Sequence, residues 1–235
     1  MISLFLVAIL VPVILAENAK VHMFVLEPGF SGGLSRSEPP IRMNIDIEIS
    51  VIAMPEFDAL VESHSSDFAI NHCVDKLSEH MQKLDVMSGI AHVLMSASRG
   101  AGCVAEAVQR GVWSDSVAFI SPILIGSSGL EEDDYGGMVA ALVSKNVPFF
   151  IATGDSSDEK LIIYEPMMEA MSSTFIDDTQ HAAMVTQYAG DHDWHSDNAS
   201  SISNWQAFLE QVVKLGRRNI GSSNNAGRGE AESSI

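Results

Sequence analysis

The sequence predicts an α/β protein, a mostly parallel sheet with helices on both faces. Short apolar runs of strand length recur along the chain, and segments with helical periodicity lie between them. Most of the runs are solidly apolar rather than alternating, as strands covered on both faces are. Strand-like and helix-like segments in alternation are the pattern of a single layered α/β domain.

The elements follow in order. "MISLFLVAILVPVILAENAK" opens with an apolar run from Ile2 to Ala16, broken by Pro12 and ending on a small residue before Glu17. This reads as a signal peptide over 1–16, which implies a secreted or periplasmic protein whose folded domain covers 17–217. Its leading end carries no Lys or Arg, and the alternative is a buried first strand. "VHMFVL" (Val21–Leu26) is the first strand of the domain, followed by the Gly-rich turn "EPGFSGG". "IDIEISVIAM" (Ile45–Met54) alternates and then turns solidly apolar, as a strand entering a core does.

From Asp67 to Leu84 a stripe of Ile70, Cys73, Val74, Leu77, Met81 and Leu84 predicts a helix with Asp67 as its N-cap. "AHVLMS" (Ala91–Ser96) is a strand, and Gly100–Arg110 a helix of small residues closed by Gly111. "SVAFISP" (Ser116–Pro122), "VPFFIAT" (Val147–Thr153) and "AAMVTQY" (Ala182–Tyr188) are three more strands. Helices are expected at Gly137–Lys145 and Glu165–Ser172. A last one, Ser201–Leu215, places Ile202, Trp205, Phe208, Leu209 and Val212 on one face and stops at Gly216. The tail 218–235 has too little apolar content to pack and is expected to be disordered.

Composition narrows the partners. With 31 acidic against 13 basic residues the formal charge is −18. A surface so acidic repels phosphate backbones, which argues against nucleic acid as a partner. No apolar stretch beyond the amino terminus is long enough to span a bilayer, so no stable membrane insertion of the mature chain is expected. Cys73 and Cys103 form neither a metal-binding pattern nor a redox pair in sequence. They read as two buried free thiols, with a bridge as the alternative in an oxidising compartment.

In parallel sheets ligands sit beyond the carboxyl ends of the strands, so the loops there are where chemistry is sought. "SASRG" follows the strand ending near Met95 and leads directly into a helix. It matches the nucleophile-elbow pattern G-x-S-x-G, with Ser96 in place of the first glycine. Small residues flank such a serine because the turn is strained and bulky neighbours would collide with the strand and helix. After the strand Val147–Thr153, "DSSDEKL" offers Asp158 as an orienting acid and Asp155 as its alternate; either could instead simply cap a helix. After the last strand, "YAGDHDWHSDN" offers His192, with His195 as its competitor. Serine, acid and histidine thus follow three separate strands in one order. In "LEPGFSGG" the Phe30 N–H could join that of Arg99 in holding an oxyanion.

On these motifs the chain resembles the α/β-hydrolase superfamily, from about Val21 to Leu215. The elbow "SASRG", the loop "GDSSD" and the "GDH" before the last helix look like their family counterparts. Pro28 stands where members usually carry a histidine, and Ser96 where they carry glycine. The resemblance implies Ser98 as nucleophile, His192 as general base and then acid, and Asp158 as orienter, acting on a small-molecule ester or thioester without cofactor or metal. Between the strands Ser116–Pro122 and Val147–Thr153 lies "ILIGSSGLEEDDYGGMVAALVSKN", acidic at first and then helical. So short a connection leaves no room for a large lid. It points to an esterase or thioesterase rather than an interfacial lipase.

Two other readings compete. Asp191, His192, Asp193, His195 and Asp197 crowd one loop, and a divalent metal could use such donors in a metal-dependent hydrolase. A hydrolase-like fold could also have lost turnover and kept a binding role. The "NAS" at Asn198 is a glycosylation sequon only where the machinery exists.

Overall fold

The computed structural model describes residues 20–27, 46–83, 90–124, 134–174, 183–188 and 203–215. Six strands form one sheet: β1 (Lys20–Leu26), β2 (Asp46–Ile52), β3 (Ala91–Ala97), β4 (Ser116–Ile120), β5 (Phe149–Gly154) and β6 (Ala183–Tyr188). Their order is β2-β1-β3-β4-β5-β6, and every neighbouring pair is parallel. All six strands expected from the sequence are present. The four central strands are the most apolar ones, because they are buried on both faces. β2, at an edge, exposes Asp46 and Glu48, and this is why its sequence alternates before it closes with Ile52.

Each face of the sheet has its own core. Phe24, Leu26, Leu94, Phe119, Phe149 and Ile151 point to one side. There they meet α1 (Phe57–Ser63), α2 (Ser66–Lys83), α3 (Gly100–Gln109), α4 (Tyr135–Ser144) and α6 (Glu165–Thr174). Val21, Met23, Val93, Met95, Ala118, Ile120 and Phe150 point to the other side, against the helix 203–215, here α7. Trp205 of α7 meets Phe150 edge-on at 5.0 Å, and Phe208, Leu209 and Val212 complete the expected face. Ile202 lies outside the described residues.

Several local expectations are corrected. The free-thiol reading fails: Cys73 of α2 and Cys103 of α3 form a disulfide, with a Cα–Cα distance of 6.0 Å. The two helices pack side by side on one face, which brings buried cysteines distant in sequence to bridging range. The cap of α2 is Ser65, whose Oγ accepts from the Phe68 N–H at 3.2 Å, and not Asp67. Ser65 stands outside the helix and reaches back to its orphan N–H groups, whereas Asp67 already lies in the first turn. α4 begins two residues earlier than its periodicity indicates, because Asp134 caps it by accepting from the Gly137 N–H at 2.8 Å.

Two elements carry no clear sequence signal. α1 is a short helix that buries only Phe57, too little for a periodic stripe. After β5 the chain forms α5 (Ser157–Glu159), a π-helical turn over Lys160–Tyr164, and then α6 without a break. The apolar pair Leu161 and Ile162 in that turn is exposed. The expected leader 1–16 and tail 218–235 lie outside the described residues.

Candidate active site

The strand order reverses direction once. From β1 the chain moves to the edge strand β2, then returns to β3 on the other flank of β1 and continues outward through β6. The carboxyl ends of β1 and β3 therefore bound the switch point, where open parallel sheets bind ligands. The first residue past β1 there is Glu27, and the first past β3 is Ser98.

Ser98 has φ 45°, one of three described non-glycine residues at positive φ. β3 delivers it and α3 starts two residues later, so the chain reverses from strand to helix through this single strained residue. Its N–H donates to the Ile120 carbonyl at 3.0 Å, and its carbonyl accepts from Ala101 (3.1 Å) and Ile123 (2.9 Å). Behind it Ser96 and Ala97 are buried in the sheet, and ahead Gly100, Ala101, Gly102 and Cys103 are all buried against neighbours. Burial at all of these positions suits the small-residue run. Ser98 is half-buried, within reach of solvent, whereas Ser96 is sealed off and its Oγ has no described hydrogen-bond partner. The serine in the glycine position is thus a core residue.

Arg99 begins the α-helical geometry at φ −59° and ψ −21°, next to the head of α3. No described residue accepts a hydrogen bond from its N–H. That N–H and the positive end of the α3 dipole favour negative charge beside Ser98. The exposed Arg99 guanidinium lies 3.9 Å from Asp58 of α1. Glu27 turns the other way. Its N–H donates to Ile52, and its carboxylate accepts from the Met54 N–H at 3.2 Å, so it fastens the end of β2.

Asp155 is the first residue past β5 and Asp158 lies in α5; both are exposed. β4 separates β5 from the strand that carries Ser98. β6 ends at Tyr188 on the same edge of the sheet, so the segment holding His192 and His195 leaves from the carboxyl end of the outermost strand. Phe30, His192, His195 and the Asp191–Asp197 cluster lie outside the described residues. Among the described residues no group of three or more His, Cys, Asp or Glu could hold a metal ion.

One feature of this edge was not read from the sequence. Ser121, just past β4, has φ 41° and hydrogen-bonds through Oγ to the Tyr188 hydroxyl; both residues are buried. The dipeptide Ser121-Pro122 at a strand end was the available signal, but a left-handed φ cannot be read from it.

No protein-family model and no curated protein matches this chain. Among solved structures it is similar to an uncharacterised protein from Capnocytophaga ochracea DSM 7271, with a TM-score of 0.44 and 10% identity. The similarity covers 84% of this chain, which spans 56% of that protein. Fold and site together define an α/β protein with an open, all-parallel sheet and a strained serine at its switch point. No helix among the described residues is long and apolar enough to cross a membrane.

Proposed function

We propose that this chain is a serine hydrolase of the α/β-hydrolase type that cleaves a carboxylic ester or thioester of modest size. The observation that carries the reading is Ser98 itself: φ 45°, at the carboxyl end of a central strand, half-buried, and beside the head of α3. A strand–turn–helix of this kind lifts a serine hydroxyl above the sheet, which is what a nucleophile elbow requires.

In the proposed mechanism Ser98 Oγ attacks the acyl carbon as His192 takes its proton. The Arg99 and Phe30 N–H groups hold the oxyanion. Collapse breaks the bond to the alcohol or thiol, which leaves with the proton from His192. Water, deprotonated by the same imidazole, then attacks the acyl-enzyme and releases the acid and free Ser98. Asp158 orients the imidazole, with Asp155 as the alternate. The Cys73–Cys103 disulfide supports the exported reading, since such bridges persist in oxidising compartments.

The test is intact-mass labelling with a fluorophosphonate on the wild type and on Ser98→Ala. One adduct on the wild type, absent from the variant, is the expected result. A folded wild type that takes no adduct overturns the reading and leaves a binding role, or a metal site in the Asp191–Asp197 loop.

A further inference from the structure

Ser98 is held from one side by a short segment of the neighbouring strand end. The Ile120 carbonyl accepts the Ser98 N–H at 3.0 Å, and the Ile123 N–H donates to the Ser98 carbonyl at 2.9 Å. Both polar groups of the strained residue therefore rest on the turn 120–123. That turn is strained in its own right, with Ser121 at φ 41° and a proline after it. An L residue at such a φ persists only where its surroundings over-determine it.

The surroundings of Ser121 supply two anchors. Its N–H donates to the Ala152 carbonyl of β5 at 2.7 Å, and its Oγ hydrogen-bonds to the Tyr188 hydroxyl. Tyr188 belongs to β6, on the far side of β5 from β4. Its register partner on β5 is Gly154, and the preceding residue on that face is Ala152. The phenol thus crosses β5 over a residue with no side chain and one with only a methyl. Ser121 is 1% and Tyr188 2% exposed, so water does not compete for this bond.

We infer that Tyr188 and Ser121 are positioning residues for Ser98. The bond between their hydroxyls holds the turn 120–123 in its left-handed form, and the turn holds the Ser98 backbone in its own. The inference rests on the proposed nucleophilic role of Ser98 for its catalytic meaning, but the mechanical link stands apart from it. Neither residue touches substrate or reacting atoms in this scheme.

The test compares wild type with Tyr188→Phe, which removes one oxygen and keeps the ring. Hydrogen exchange by mass spectrometry follows peptides spanning Ser98 and Ile123, with β1 and α2 as internal references. Fluorophosphonate labelling rate, and kcat and KM for p-nitrophenyl acetate, are measured in parallel. Loss of one buried hydrogen bond is expected to speed exchange at Ser98 and Ile123 by about tenfold and to slow labelling by a similar factor. KM and the reference peptides should stay unchanged.

Unaltered exchange at the two sites, or a rise shared equally by β1 and α2, overturns the positioning role. A loss expressed in KM alone does so too. A wild type that does not label defeats the proposed hydrolase, while the exchange arm still decides the link. Where Tyr188→Phe does not fold, Ser121→Gly serves, since glycine keeps the positive φ and lacks the hydroxyl. The double variant should lose less than the sum of the two single losses, because both remove the same bond.

Discussion

Ser98 at φ 45° stores backbone strain at the point where function is proposed. A non-glycine residue in that region is disfavoured by roughly 1–3 kcal/mol. Ser98→Gly should therefore raise unfolding stability by about 1 kcal/mol while abolishing fluorophosphonate labelling. Urea denaturation and intact mass check the two halves.

His22 acts at the opposite end of the strands. Burial pushes its imidazole below the ordinary 6.5, the Glu48 charge opposes that shift, and His92 reinforces it. Its Nε2 lies 2.8 Å from Ser50 Oγ. Folding favours the neutral ring, so below the ordinary pKa the unfolded chain binds more protons than the folded one. The contribution is complete above 6.5 and is lost as pH falls through the lower folded value. Glu56, lowered mainly by its hydrogen bond to His72, acts in a separate window below 4.5. Thermal melts of His22→Gln should show a shallower decline as pH falls below 6.5 than the wild type.

At the scale of elements, α2 and α3 are joined two ways. The Cys73–Cys103 disulfide closes a loop over a sequence separation of 30. Arg110 of the α3 C-cap reaches the Asn71 side-chain oxygen on α2, and it also donates to Glu106 at 2.6 Å. α3 is the helix whose head lies beside Ser98, so its anchoring to α2 bears on the site. A bridge over a loop of this length is worth about 3–4 kcal/mol through the unfolded chain. The Cys73→Ala/Cys103→Ala variant should lose about that much in urea denaturation, and a reducing agent should bring the wild type to the same level.

The molecule as a whole carries −18. Like charges at this density repel one another in the compact state, and salt screens them. Raising salt from about 10 mM to about 1 M, a fall in Debye length from about 30 to 3 Å, should raise the melting temperature. No rise would show that the acids are already offset by local partners. The sheet also brings the loop after β5 to the edge that carries Ser98, and it presents two acids there. In the proposed mechanism one of them orients the histidine. Asp158→Asn is expected to lower kcat by on the order of 10⁴ and Asp155→Asn to leave it nearly intact. The reverse result assigns the role to Asp155.

The sequence by itself determined the six strands and the longer helices that cover them, α1 excepted, because burial on two faces or one leaves a period that local composition records. It also determined the turn at Ser98, where a small-residue run between a strand and a helix has a steric cause. The pairing of Cys73 with Cys103 was beyond it, since that depends on how two helices pack on the sheet. The choice between Asp155 and Asp158 also lay beyond it, because both residues suit the loop. Tertiary structure alone decided that Ser121 is left-handed, that Tyr188 spans β5 to reach it, and that the Ser98 backbone rests on the same turn. These are contacts between strand ends far apart in the chain, and no local pattern of residues encodes a distance across a sheet.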